Sequence, residues 1–481
     1  MDESSNSSST AARLKKNLFS FGGIGAVTKA ASLLAVPVYT AYITPAEYGK
    51  YHLAQSVGVV FAMFTAFGLH SGFGRLYFRY RDDGQLGLFL SSLLRFFPLV
   101  ILLIGGLSIA LGDEILGYFV PDFAIPFAPL VVLGLVTNFA NVSLDVPTRL
   151  FQIESNYRAF IWLKLVPVAL GIALTMALIF AFELESLALM IGQTAPRVLV
   201  VVLVYLALRD RMREGFDVGI VRSSIAFSLP LLPYQLMNFI LGTSDRFVLE
   251  RYATLADIGV YSLGYTLGAT MLLFCSITHA SWQPIFYDLI PDEREWERIA
   301  EYIQRLLVFL LVIATGGVLV AKPFVELFFD AGYAGGAPVT AWVIAGLFFH
   351  GVFVVFHLCI LQRERSSWMP AISVCAAAVN LATCVLLVPR YGILGAAWST
   401  FMAYLIEGAL TLIIAQRMLP LPIRYARLAR GPALLVAHVV FLSVLEPGLW
   451  GGVALGLASL AALVFFERSW LLSDVYRRLR R

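Results

Sequence analysis

Long apolar runs separated by short charged clusters dominate this chain from residue 18 onward. Crossing a bilayer core of roughly 30 Å takes about 20 residues of helix. Inside that core every backbone N–H and C=O must find its partner within the chain, so runs of this kind fold as helices. Runs lie near 18–42, 51–72, 86–111, 125–149, 158–182, 186–208, 223–244, 258–284, 303–328, 339–361, 368–388, 392–416, 431–446 and 449–466. Charged residues make up 14% of the chain and hydrophobic ones 59%, with a mean hydropathy of +0.81, whereas a soluble domain carries roughly 25% charge. A soluble enzyme, a secreted disulfide scaffold and a disordered chain are excluded. The expected fold class is all-α integral membrane, with about fourteen transmembrane helices.

Orientation follows from where Lys and Arg fall in the short connections. With the N-terminus inside, 26 of the 35 basic residues lie in inside segments, five lie outside, and Lys29, Arg95, Lys164 and Arg197 lie within spans. Both termini are therefore expected in the cytoplasm. The basic clusters sit between spans and form no continuous face, so nucleic acid is not an expected partner. Cys275, Cys359, Cys375 and Cys384 fall in apolar runs without metal-ligand spacing. The polar start, MDESSNSSSTAARLKK, precedes an uncleaved first span. Short outer connections argue against an enzyme working through a large external domain. No GxxxxGK[ST] occurs, so no nucleotide-hydrolysing module of that kind is fused here.

A repeat organises the runs. Residues 42–51 read YITPAEYGKY and residues 252–261 read YATLADIGVY, an offset of 210. Tyr42/Tyr252, Thr44/Thr254, Ala46/Ala256, Gly49/Gly259 and Tyr51/Tyr261 are identical, and Glu47/Asp257 is conservative. Both copies join a first span to a second. The expected organisation is a cytoplasmic tail (1–17), a six-helix lobe (18–210), a second six-helix lobe (211–420), and two further helices with a basic tail (421–481). Two lobes that start on the same side form a parallel repeat, an arrangement transporters use around a central cavity.

The segments VPVYTAYITPAEYGKYHLAQS, SDRFVLERYATLADIGVYSLGY and YGILGAAWSTFMAY resemble the polysaccharide transport family. Its members are flippases of lipid-linked oligosaccharides, in the superfamily that also holds multidrug-and-toxin exporters and lipid II flippases. The resemblance implies two six-helix lobes around a cavity, plus a C-terminal helix pair. It implies an undecaprenyl-pyrophosphate-linked glycan as substrate, turned from the cytoplasmic to the outer leaflet of the bacterial inner membrane for surface polysaccharide or O-antigen. It implies no enzymatic activity and no resident cofactor, with coupling to H+ or Na+ left open. Expected partners are the lipid-linked glycan, the bilayer, and a polysaccharide polymerase with its assembly proteins.

Charges inside spans cost about 2.5–3.5 kcal/mol each and therefore mark candidate sites. Lys29, Arg95 and Arg197 lie about 15–18 Å into their spans at 1.5 Å per residue, and Lys164 lies nearer the inner interface. All four belong to the first lobe, which suits an anionic diphosphate; structural pairing and snorkelling are the competing readings. Asn138, Asn141, Asp145 and Arg149 share a helical stripe in the fourth span. Tyr39, Tyr234, Asn238 and His279 add aromatic and amide groups suited to sugars, or to interhelical bonding. Asp245 and Arg246 are a candidate outer gate or a helix-end pair. His350 and His357 share a face with Glu407 two spans later, a candidate proton-coupling set or packing residues. Pro37, Pro98, Pro167, Pro196, Pro230 and Pro233 are candidate kinks. Two competing functions are a multidrug-type cation exporter of the same fold, and a polymerase or scaffold of glycan assembly.

Overall fold

A computed structural model of the chain describes residues 23–63, 69–120, 123–229, 232–365, 367–423, 425–445 and 458. The side chains of 69–72, 119, 232–235, 238, 425–428 and 444–445 lie outside that description, as do both expected basic tails and the run at 449–466. The regular structure among these residues is helical throughout. Among the described residues, nine segments are long and apolar enough to cross a membrane, and the chain is a multi-pass membrane protein. Fourteen crossings remains the expectation drawn from the sequence. The chain divides into two compact units, Met1–Gly259 and Val260–Arg481. The expected lobe boundary at residue 210 falls inside the first.

The first unit runs α1 (Gly23–Thr40), α2 (Pro45–Met63), α3 (Leu69–Asp82), α4 (Leu86–Phe119), α5 (Val132–Ile153), α6 (Tyr157–Phe182), α7 (Ser186–Ala207), α8 (Val218–Ser228) and α9 (Leu232–Tyr252). Its aromatic core gathers Phe73, Tyr77 and Tyr80 of α3, Phe89 and Leu93 of α4, Phe151 of α5 and Phe160 of α6. Tyr80 stacks on Phe89 at 4.8 Å, and its hydroxyl lies 2.8 Å from that of Ser223 on α8. On the other face of α4, Leu102 and Leu103 are 75% and 71% exposed. A row of this kind would be an association hazard in water and is an ordinary lipid-facing surface in a bilayer. Pro37, Pro98, Pro167 and Pro196 lie inside α1, α4, α6 and α7, while Pro233 occupies the first turn of α9 and Pro230 is not among the described residues.

The second unit continues α10 (Leu255–Gly268) and adds α11 (Met271–Leu289), α12 (Trp296–Phe328), α13 (Gly336–Gln362), α14 (Trp368–Met418) and α15 (Tyr425–Leu445). Helix α13 is buried along most of its length, the mark of a helix apolar all round and enclosed by others. Helices α11, α12, α14 and α15 pack against it. Helix α14 has 51 residues, far more than one crossing needs. Gly392 breaks it with φ +53° and ψ −130°, a conformation open to glycine and strained for other residues. Each arm, 368–391 and 393–418, is about 35–40 Å long, enough for one crossing.

The repeated segments fold alike. Thr44 caps α2, accepting from the Glu47 backbone N–H at 3.4 Å. Thr254 caps α10, accepting from the Asp257 N–H at 3.1 Å, while the Asp257 carboxylate accepts from the Thr254 N–H and hydroxyl at 3.0 and 2.7 Å. The second is a capping box, in which the first and fourth residues satisfy donors that a helix start leaves unpaired, and the first shows the threonine half of it.

Candidate functional site

In the first unit, polar side chains from α2, α5, α6 and α7 form a connected set within otherwise apolar helices. Arg197 of α7 donates from Nε to Asn141 Oδ1 of α5 at 3.1 Å and from a terminal nitrogen to the Gln193 carbonyl at 2.6 Å. Gln193 in turn donates to the Tyr51 hydroxyl of α2. One turn further along α2, Gln55 accepts from Asn138 Nδ2 at 3.0 Å; Asn138 also bonds the Gly134 carbonyl at 2.9 Å. Helices α2 and α5 come this close because Gly58 and Gly134 face the crossing, where a β-carbon on Gly58 would stand 2.6 Å from Asn138 Nδ2.

Lys164 of α6 is half-buried and lies within electrostatic reach of Asp145 and Arg149 of α5 and of Arg197. Asn141 and Arg149 are exposed and Asp145 is half-buried. Three basic groups around one carboxylate leave this face net positive. Lys29 is exposed on α1, the helix packed on α6. Tyr39 of α1 is buried and hydrogen-bonds Thr175 of α6. The structure thus brings Lys164, Arg197, Asn141 and Asp145 together, with Asn138 continuing the set toward α2.

Arg95 stands elsewhere. Its guanidinium donates to the Met212 carbonyl in the turn Arg209–Met212. Ser91 and Ser92 of the same helix bond Gly215 O and Asp217 N at 2.6 and 2.9 Å. Its place is a clamp on the connection between α7 and α8. Beside it Arg211 pairs with Glu154, and that hydrogen bond raises the Arg211 pKa further. His279 lies in the second unit, stacked on His357 at 5.1 Å. The side chains of Tyr234 and Asn238 lie outside the described residues.

In the first unit Asp245 and Arg246 of α9 are both buried, with Arg246 donating to Asp245 Oδ1 at 3.0 Å and to the Gly242 carbonyl at 3.0 Å. His52 of α2 lies within electrostatic reach of Arg246 and packs edge-on to Tyr48 and Tyr51 at 4.6 and 4.9 Å. At the surface Glu47 is bonded by Lys50 and by the Ser186 hydroxyl. Burial would raise the Glu47 carboxyl, but those hydrogen bonds outweigh it and the net shift is downward. The neighbouring Glu185 is raised, by burial first and then by the Glu47 charge.

In the second unit His350 Nδ1 of α13 lies 2.8 Å from Glu407 Oε2 of α14. Phe353 stacks between His350 and His357 at 5.3 and 5.4 Å. Sequence reasoning named the three ionisable residues and missed the ring between them. In the first unit it missed Gln55, Tyr51, Gln193 and His52. The i, i+4 spacing of Tyr51 and Gln55 and of Gln193 and Arg197 is the signal that would have found three of these four.

A family model described as polysaccharide biosynthesis protein matches residues 41–338. No curated protein matches the chain. Among solved structures, a lipid II flippase MurJ in an inward closed conformation aligns with a TM-score of 0.71 and 14% identity, covering 94% of this chain and 99% of that one. A mutant of the Vibrio cholerae MATE transporter VcmN aligns with a TM-score of 0.56 and 16% identity, covering 86% and 98%. An inward-facing multidrug resistance MATE family transporter of the MOP superfamily aligns with a TM-score of 0.59 and 13% identity, covering 82% and 95%. At these identities the likeness is one of fold.

Proposed function

Because this chain belongs to the polysaccharide biosynthesis protein family, we propose that it is a flippase for undecaprenyl-pyrophosphate-linked oligosaccharide. It turns that lipid from the cytoplasmic to the outer leaflet of a bacterial inner membrane, with both termini cytoplasmic, for surface polysaccharide or O-antigen assembly. Transport runs by alternating access and involves no covalent chemistry. A polymerase and its assembly proteins take the product on the outer side.

The observation that carries this reading is the net positive polar face of Lys164, Arg197, Asn141 and Asp145 in the first unit. A diphosphate and a set of sugar hydroxyls cannot cross about 30 Å of hydrocarbon unaided. The protein has to supply donors and positive charge along the way, and lipid supplies neither. Lys164 and Arg197 serve the diphosphate, with Lys29 as a third cation. Asn141, Asn138 and Tyr39 suit sugar hydroxyls and rings. The isoprenoid tail stays in lipid. Arg95 acts on the connection between α7 and α8, and neutralising it tests folding more than binding.

The test is complementation of a strain lacking its own lipid-linked oligosaccharide flippase. The chain restores surface glycan, and Lys164→Gln with Lys29→Gln abolishes it at unchanged protein level, with lipid-linked glycan accumulating on the cytoplasmic face. Full surface glycan from the double variant contradicts the proposal.

A further inference from the structure

Glu407 lies eleven residues before the end of α14, about 16 Å from that end, and its side chain is only 3% exposed. Between residues 260 and 445 the other carboxylates stand at helix ends or in connections, from Asp288 to Glu301 and at Glu326, Asp330 and Glu364. Lys and Arg are missing from α11 and α13, from α12 between Arg305 and Lys322, and from α14 between Arg390 and Arg417. An ionised carboxylate in such a place costs several kcal/mol unless a positive group pairs with it. The Glu407 carboxylate meets the His350 imidazole at 2.8 Å.

A single proton makes this pair neutral, whether it sits on the imidazole or on the carboxyl. The remaining titratable groups nearby come from several helices. Tyr404 of α14 packs edge-on to His350 at 5.5 Å, and Cys275 of α11 lies within electrostatic reach of Glu407. His357 of α13 continues the face through Phe353 to half-buried His279 of α11. Helix α12 adds none between Arg305 and Lys322, and α15 contributes buried His438. No trio of His, Cys, Asp or Glu among the described residues is placed to hold a metal ion. A nitrogen and a carboxylate at hydrogen-bond distance are a place for a proton.

We propose that His350 and Glu407 form a proton-binding site within the second unit, and that its loading and release drive the transport cycle. The proposal rests on the flippase reading for its second half only. A second proton entering from water converts the hydrogen-bonded neutral pair into an imidazolium beside a carboxylic acid, and the charge of the site rises from zero to plus one. A buried positive charge favours a conformation that hydrates the pair or brings an anion near it. Proton affinity therefore differs between conformations, which is the condition for coupling.

Infrared difference spectra and dye-monitored proton uptake of the full-length protein in lipid nanodiscs test the site without any substrate. On acidification from alkaline pH through both protonation steps the wild type gains a protonated-carboxyl band that Glu407→Gln lacks, and the variant takes up about one proton fewer per chain. His350→Gln, which keeps the carboxylate, alters the same band and guards against a fold defect in the first variant. Spectra and uptake identical in all three proteins overturn the site, as does the same band change on adding sodium at fixed pH. In proteoliposomes, an imposed pH gradient changes wild-type flipping by about fivefold or more and leaves Glu407→Gln indifferent. Wild-type flipping that ignores the gradient overturns the coupling, while absence of flipping with an intact infrared signal overturns only the flippase reading.

Discussion

Gly49 and Gly259, the equivalent glycines of the two repeat copies, lie against each other: a β-carbon on either would stand 3.0 Å from the backbone nitrogen of the other. Nearer still are carbonyl oxygens, Leu255 O before Gly49 and Pro45 O before Gly259. The contact is reciprocal, as a local two-fold relation between the copies requires. Main chain is the obstacle on both sides, and main chain in a helix start cannot step aside as a long side chain can. Gly49→Ala is therefore expected to lower Tm, at a cost of about 1–3 kcal/mol for overpacking. Gly106→Ala, where a β-carbon meets nothing within 4 Å, is expected to hold Tm or raise it slightly. Thermal unfolding of the purified variants checks both.

The two helix caps differ in strength. Thr254 and Asp257 exchange three bonds, whereas Thr44 accepts a single one at 3.4 Å from Glu47, whose carboxylate is turned to Lys50 and Ser186. Losing a cap costs about 0.5–2 kcal/mol. Thr254→Ala is expected near the top of that range and Thr44→Ala near the bottom, read as the difference in their Tm values.

Glu185 carries a clear pH dependence at the start of α7. Its pKa is raised by burial and by Glu47, so its contribution to stability is complete below the ordinary carboxylate value. That contribution is lost as pH rises through the raised one. At neutral pH the ionised group is a liability. Glu185→Gln is expected to raise Tm at neutral pH and to give no gain once the wild-type carboxyl is protonated. Glu47, shifted the other way, contributes above its ordinary value and loses that contribution as pH falls through the lowered one. Glu47→Gln is expected to lower Tm at neutral pH and to match the wild type in acid.

Arg95 separates a structural cation from a binding one. Its bond to Met212 ties α4 to the turn after α7, so Arg95→Gln is expected to lower Tm and protein level while leaving substrate affinity of the folded fraction unchanged. Lys164→Gln is expected to do the reverse. Binding of lipid-linked oligosaccharide to each purified variant, set beside its Tm, distinguishes them.

Much of this was legible before the structure, for reasons that differ by residue. Lys164 and Arg197 stand out because charge inside an apolar run is expensive, and the price is visible in sequence. The repeat of Thr, acid and Gly was visible too, but its meaning, a cap followed by a crossing glycine, needed coordinates. Arg95 meets the Met212 carbonyl in the turn after α7, a contact that distance along a helix does not reveal. Helix α4 has 34 residues, about 51 Å, more than one crossing needs, so position along it does not measure depth. Gln55, Gln193 and Tyr51 were missed because an amide or phenol in an apolar run is common. Only the approach of α2, α5 and α7 turns those three into a chain.

The central claim is that the polar face of the first unit carries the anionic head of a lipid-linked glycan across the membrane. Its most direct measurement uses proteoliposomes holding fluorescent undecaprenyl-pyrophosphate oligosaccharide, with the inward leaflet shielded from an added quencher. The account predicts that wild-type protein brings the shielded half into reach of the quencher, that Lys164→Gln with Lys29→Gln does not, and that an uncharged lipid-linked glycan is not moved. Equal flipping by wild type and double variant, or equal transport of charged and uncharged lipids, would contradict it.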